Sequence, residues 1–263
     1  MYEFIFIILV VLIIFIAYIW LIILLKKFHA YKLAKSQLDK LVIVTSHYKE
    51  DLNWLKESPW KVIVCSKIGS PSKPEINLDE KCLCENKGNE CTSYLKYIIA
   101  NYYQLPEYIA FIHGHETAWH QNLVLKGKYK SNILNLIENA KIIDHDFISL
   151  NGTFIDDRKK GKLLGFDYLR FLWPIHFQPF LGLELPDYVF HDCCAQFIVH
   201  KSMITRLPLA VWEHWFKLFY NPDINHKILG YSFEYCWHIL FGQDPVLKFS
   251  SKQDYLQNFF ETQ

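Results

Sequence analysis

The chain has 263 residues with 28 Lys+Arg against 27 Asp+Glu, a net charge of +1, so no global field exists to collect nucleic acid or acidic substrates. Nucleic acid is therefore not an expected partner. Aromatics make up 17% of the residues, with eight Trp and sixteen Tyr, which suits a stiff core and a cleft walled by rings that also offer N–H and O–H groups to a sugar or a nucleotide.

The first uncharged stretch, Phe4 to Leu25, is 22 residues long. As a helix it would rise roughly 33 Å, enough to cover a hydrocarbon core of about 30 Å. A cleaved signal peptide would start basic and end on small residues, whereas this run follows Met-Tyr-Glu and precedes Lys26-Lys27, so a retained single transmembrane helix is expected. The bilayer is then a partner through residues 4–25. Lys26, Lys27, Lys32 and Lys35 follow the run, and the positive-inside rule puts the remaining domain in the cytoplasm rather than the lumen. The sequon Asn151-Gly152-Thr153 would matter only on the lumenal side. Residues 1–40 thus read as anchor and stalk, the polar stalk running from His29 to Leu38, and 41–263 as one domain.

Along that domain, LVIVTS at Leu41–Ser46 reads as a buried strand, Lys49–Lys56 as a helix and KVIVC at Lys61–Cys65 as a second strand. Gly69–Gly88 reads as a surface loop and Glu90–Tyr103 as a helix stopping before Pro106. Tyr108–His113 is a third buried strand, and Ser131–Ala140 a helix with Ser131 as N-cap. A short strand at Phe147–Leu150 precedes a turn at Asn151-Gly152, and Asp156–Lys162 is a solvated charge run. Phe166–Tyr188, with Pro174, Pro179 and Pro186, reads as an irregular aromatic insertion. Gln196–His200 follows as a strand, with helices at Leu209–Tyr220 and Ser232–Phe241. Strands alternating with helices predict an α/β fold, a mostly parallel central sheet flanked by helices.

The seven Cys are odd in number. Pairing within adjacent Cys193 and Cys194 is expected to be strained, so no disulfide framework is expected. Cys82, Cys84 and Cys91 form a CxC…C cluster with no second pair of ligands in zinc spacing after it.

The densest polar constellation is His113-Gly114-His115-Glu116, with Trp119-His120 just beyond, where a buried strand ends. Ligands of α/β sheets bind at such carboxyl ends. Residues two apart share a strand face, so His113 and His115 can converge on one metal or one phosphate oxygen, with His120 as a further ligand and Glu116 as acid or base. An HxHxDH hydrolase motif would need an acid and a His where Thr117 and Ala118 stand. Two later clusters could complete a pocket: His191-Asp192-Cys193-Cys194, and Glu234 with His238 four residues on, along one helical face. Asp144-His145-Asp146 is a DxD triplet, but it lies before a strand rather than after one and reads as a solvated turn.

Long blocks of the chain resemble the uncharacterised family called domain of unknown function 3431. They are SHYKEDLNWL, NKGNECTSYLKYIIANYYQLPEYIAFIHGHETAWH, CCAQFIVHKSMI and EYCWHILFG, spread from Leu41 to Gly242, with Cys91 where the family usually has Ala. The order of parts is also similar to that of nucleotide-sugar glycosyltransferases of the A-type fold: a first strand with a Thr45-Ser46-His47 exit, a middle strand ending in His113-Gly114-His115, then AQFIVHKSMI and a late helix with Glu234. This second resemblance implies His113 and His115 in the place of the metal-binding acidic pair, Glu234 as a catalytic or acceptor-binding carboxylate and His238 as a late ligand. Because His replaces the acids, a hard ion would be bound poorly.

The resulting expectation is a membrane-anchored glycosyltransferase-like enzyme with a nucleotide-sugar donor. Glu234 and Glu116 are its candidate catalytic carboxylates. Thr45, Ser46, His47, Asn86, Glu90, Trp119, Gln196 and Trp237 are its candidate substrate contacts. His113, His115, His120, His191 and His238 are the candidate ligands of a divalent metal, Mn²⁺ or Zn²⁺. A metal-dependent hydrolase on His113, His115, His120 and His191 and a non-catalytic membrane-tethered scaffold are the alternatives.

Overall fold

A computed structural model describes residues 15–16, 18–25, 40–125, 132–156, 164–249 and 251–261. The chain divides into two units, Met1–Lys40 and Leu41–Gln263. In the first, residues 15–16 and 18–25 are helical with exposed side chains. Among the described residues no helix is long and apolar enough to cross a membrane. Half of the expected span, residues 4–14 and 17, and the whole of the expected stalk lie outside the described residues.

The second unit is built on a five-stranded sheet in the order β2-β1-β3-β7-β4. Its strands are β1 (Leu41–His47), β2 (Lys61–Ser66), β3 (Tyr108–Ile112), β4 (Phe147–Ser149) and β7 (Phe197–His200). β1 pairs in parallel with β2 and with β3, while β7 is antiparallel to both β3 and β4. Four strands therefore run one way and β7 against them. All five residues of β3 are buried, as a strand covered on both faces requires. A two-stranded ribbon, β5 (Phe154–Asp156) with antiparallel β6 (Phe190–Asp192), stands apart from the sheet. The sequence reading had no strands there, because each is only three residues long and one carries the polar pair His191-Asp192.

Helix α1 (Cys91–Asn101) packs on β1 and β2. Its Tyr94 fills the core against Phe111, ring centroids 4.8 Å apart, and donates a 3.0 Å hydrogen bond to the Ala195 carbonyl. Helix α2 (Ile133–Asn139) starts on Asn132, whose side chain accepts from the Asn135 amide at 2.8 Å. The expected cap, Ser131, lies outside the described residues, as does most of the charge run 156–162.

The region read as an irregular insertion is instead helix α3 (Leu164–His176) followed by the single turn α4 (Gln178–Leu181). Pro174 sits inside α3 and forgoes one helix hydrogen bond, a cost offset by the buried stripe of Phe166, Leu169, Leu172 and Trp173. After α5 (Lys201–Thr205) and α6 (Leu209–Leu218) comes α7 (His226–Leu240), against which α3 packs. α7 begins six residues before the expected Ser232 because the Asn225 side chain caps the Lys227 and Ile228 amides at 3.1 and 3.3 Å. A last helix without a sequence expectation, α8 (Lys252–Phe259), is capped by Ser251.

The helix expected over Lys49–Lys56 is a 3₁₀ turn, Asn53–Glu57. The side chain of Glu50 takes the Tyr48 and Lys49 amides at 2.6 and 3.0 Å, and Asp51 takes that of Asn53 at 2.9 Å, so side chains compete for the first turn.

Two disulfides correct the cysteine reading. The loop after β2 folds back along it, with the Val64 amide on the Asn77 carbonyl and the Asp79 amide on that of Val64, both at 3.0 Å. This brings Cys65 and Cys82 within 5.1 Å (Cα to Cα), and they are bonded. Cys193 and Cys194 are bonded to each other despite their adjacency, Cys194 adopting a φ of 80°. Cys84, Cys91 and Cys236 are free and buried. The sequon is also closed: Asn151 is fully buried, its Nδ2 donating to Ser149 Oγ at 3.1 Å and to the Gln196 carbonyl at 3.0 Å.

Candidate functional site

The chain leaves β1 for β2 on one side and later adds β3 on the other, so the topological switch lies between β1 and β3, where a crevice forms at the carboxyl ends of strands. The register pairs His47 with Ser66 and Thr45 with Ile112, bringing the three exits level. A cleft of about 340 Å³ opens there, lined by Ser46, Tyr48 and Glu50 after β1, Lys67 after β2, His113, Gly114 and His115 after β3, and Asn86, Asn89 and Glu90 before α1. Gly114 is required at this junction, because a Cβ would lie 2.8 Å from the Ser46 carbonyl and 3.0 Å from Glu50 Cβ.

Lys67 is buried, and burial pulls its ammonium below the usual lysine range. Its Nζ donates to Thr92 Oγ1 at 2.6 Å and to Cys84 Sγ at 3.6 Å, using two of three N–H groups. Thr92 Oγ1 in turn donates to the Lys87 carbonyl at 2.6 Å. The ammonium is thus fixed by α1 and has one donor left for a ligand.

Glu90, just before α1, is pushed up to about 7 by desolvation, and its Oε1 is buried without a hydrogen-bond partner. Glu234 on α7 is pushed up to about 8, by burial first and then by the charge of Glu90. Desolvation of both carboxyls, and for Glu234 the charge of Glu90, thus favours their protonated forms near neutrality.

His113 is held by its backbone amide, which donates to Gln196 Oε1 at 3.2 Å. Burial, reinforced by His115, lowers its pKa to about 4, so the ring is neutral, and Nε2 is buried without a partner. Glu50 is desolvated too, but the Tyr48, Glu50 and Lys49 amides and His115 more than offset this and hold its carboxyl below the usual range.

The residues singled out from sequence divide as follows. Ser46, Asn86, Glu90, His113 and His115 line the cleft. Glu234 faces Glu90 electrostatically. Thr45 is fully buried within β1. His47 is buried against Ser66 Oγ at 2.9 Å and Ser72 Oγ at 3.2 Å, and lines a neighbouring pocket that also shares Glu50. Gln196 supports His113 from beneath, and Trp237 is sealed among Tyr94, Phe197, Phe233 and Phe241. Trp119 is exposed, and Glu116 lines a separate groove.

Four of the five candidate histidine ligands fall into two ring pairs, His113 with His120 at 5.0 Å and His191 with His238 at 4.7 Å, and His115 is in neither. Among the described residues no three His, Cys, Asp or Glu side chains are arranged to hold a metal ion. Asp192 spans Gly152 and Thr153, accepting from their amides at 2.8 and 2.7 Å, and so pins the turn beside β4.

Lys67, Glu50, Tyr48 and Asn89 were missed from sequence. The signal for Lys67 is its place one residue past a buried strand, where a lysine ordinarily reads as solvated.

The sequence model described as "Protein of unknown function (DUF3431)" matches residues 42–257. The chain belongs to this family. The DUF3431 region takes in every strand exit and all ten residues lining the cleft. No curated protein and no solved structure matches the chain.

Proposed function

We propose that this DUF3431 domain is a glycosyltransferase-like enzyme whose cleft takes a nucleotide-sugar donor. The observation that carries the reading is the buried Lys67 ammonium and the desolvated Glu90 carboxyl lining one cleft at the switch point of an α/β sheet, with Glu234 close enough on α7 to be influenced by the charge of Glu90. A sheet with one reversed strand and the cleft at the exits of β1 to β3 agrees with the order of parts in A-type transferases, an analogy that gives no activity by itself.

In this reading the diphosphate lies against Lys67 and the Nε2–H tautomer of neutral His113. The ionised member of the Glu90–Glu234 pair removes the proton of an acceptor hydroxyl as its oxygen bonds to the sugar C1. The bond from C1 to the diphosphate breaks, and the departing oxygen keeps the electron pair under the charge of Lys67.

The resemblance implies a divalent ion, and the donors here do not fit a hard one. His113 and His115 stand where acids would be, and hard ions favour oxygen ligands. No step is therefore assigned to a metal. The same division of the histidines gives the hydrolase reading no observation in its favour.

Thermal-shift measurements with uridine and guanosine nucleotide-sugars, with and without Mn²⁺ or Zn²⁺, test the proposal. Stabilisation by one sugar nucleotide without metal is expected. No stabilisation by any would sink it.

The two disulfides also support a position on the oxidising side of a membrane, because such bonds persist where thiols are not kept reduced. The lysines after Leu25 had pointed to the cytoplasm. Alkylation of the unfolded, unreduced protein from its native membrane is the discriminating measurement. Reaction confined to Cys84, Cys91 and Cys236 supports the oxidising side, and reaction of all seven Cys contradicts it.

A further inference from the structure

Beyond Gly114 lies a second depression of different chemistry. It has a volume of about 580 Å³ and is lined by Trp54, Trp60, Glu116, Asn132, Asn135 and Glu138, with Glu57 at its edge. Among the described residues its lining holds no Lys, Arg or His. The two indoles come from the rigid segment after β1. Trp54 is half-buried, with its Nε1 donating to the Gly114 carbonyl at 3.2 Å, and is the indole open to a ligand, while Trp60 is buried at 9% exposure.

Indole faces stack on the C–H faces of sugar rings, and amides and carboxylates bond the hydroxyls at the ring edges. Three carboxylates, with no basic side chain in the lining among the described residues, disfavour a phosphate, sulfate or acidic sugar. The cleft, by contrast, carries Lys67. The two sites share one chain segment: His113, Gly114 and His115 line the cleft and Glu116 lines the groove. The groove and the cleft are therefore lined by consecutive residues of one strand exit.

We propose that this groove is a binding site for a neutral saccharide, the hydroxyl-bearing acceptor of the transfer. The proposal rests on the transferase reading for the word acceptor, and on the groove alone for the binding.

The test is an array of neutral, amino and anionic saccharides probed with the full chain, with Asn135→Ala and with Glu138→Lys, both exposed positions whose substitution leaves the core intact. Each protein is also measured for stabilisation by nucleotide-sugars. Binding restricted to neutral saccharides, weakened about tenfold or more in both variants while nucleotide-sugar stabilisation is unchanged, is expected. Binding of no saccharide, a preference for anionic ones, or binding indifferent to both substitutions would overturn the proposal. Neutral saccharide binding without any nucleotide-sugar response would keep the site and sink the transferase reading instead.

Discussion

Lys67 and Glu90, which line the cleft, and Glu234 on α7 are three ionisable groups withdrawn from water, and the signature of the two carboxyls can be isolated. A carboxyl whose folded pKa is raised binds more protons folded than unfolded. Stability then falls as pH rises from the unfolded value to the folded one. For the pair that fall runs from about 4.5 through about 7 and 8. His113 and His191, both lowered to about 4, and His238, also lowered by burial, act oppositely as pH falls toward and below 6.5, where the unfolded chain takes up protons first. The unfolded histidines have released most of their protons by about pH 7.5, so from there to about pH 8 stability should decline on account of the two carboxyls. Glu90→Gln and Glu234→Gln should each flatten that decline in melting temperatures taken across the interval. A slope unchanged in both variants would mean that the carboxyls are ionised in the fold.

Glu90 was legible in sequence as a polar residue at a helix start. Lys67 was not, because its burial depends on Thr92 and Cys84, brought to it by a loop with no periodicity.

The elements most legible from sequence were those with strong apolar runs: β1, β2 and β3 lie within a residue or two of where their β-branched stretches predict. Helix α3 was hidden by Pro174, whose breaking effect is outweighed by the apolar stripe that the helix buries. The ribbon β5–β6 was hidden because strands this short have no readable alternation. At this scale the junction of β1 with β3 is the most constrained. Gly114→Ala should force the Ser46 carbonyl and Glu50 apart, lowering stability by about 1–3 kcal/mol. Chemical denaturation would measure it, and a loss of only a few tenths would show that the cleft wall yields easily.

Over the whole domain, the Cys65–Cys82 bond ties the loop that follows β2 to the strand that presents Lys67, across a sequence separation of 17. Loops of this size gain about 3 kcal/mol from closure. Paired Cys65→Ser and Cys82→Ser substitution should therefore lower the denaturation midpoint in oxidised protein and leave it unchanged under reductant. Disulfides were the part of the architecture least legible in sequence, because odd cysteine counts and adjacency argue against pairing, while backbone proximity decides it. DUF3431 membership extends over this framework and the cleft together.

The most direct test of the cleft is calorimetric titration of the wild type and of Lys67→Met, a substitution that keeps the buried volume, with uridine and guanosine diphosphates. Binding of one diphosphate to the wild type, weakened about tenfold or more in Lys67→Met with the fold intact, is the expected result. Absence of binding to the wild type, or equal affinity in the two proteins, would contradict a donor site built on Lys67.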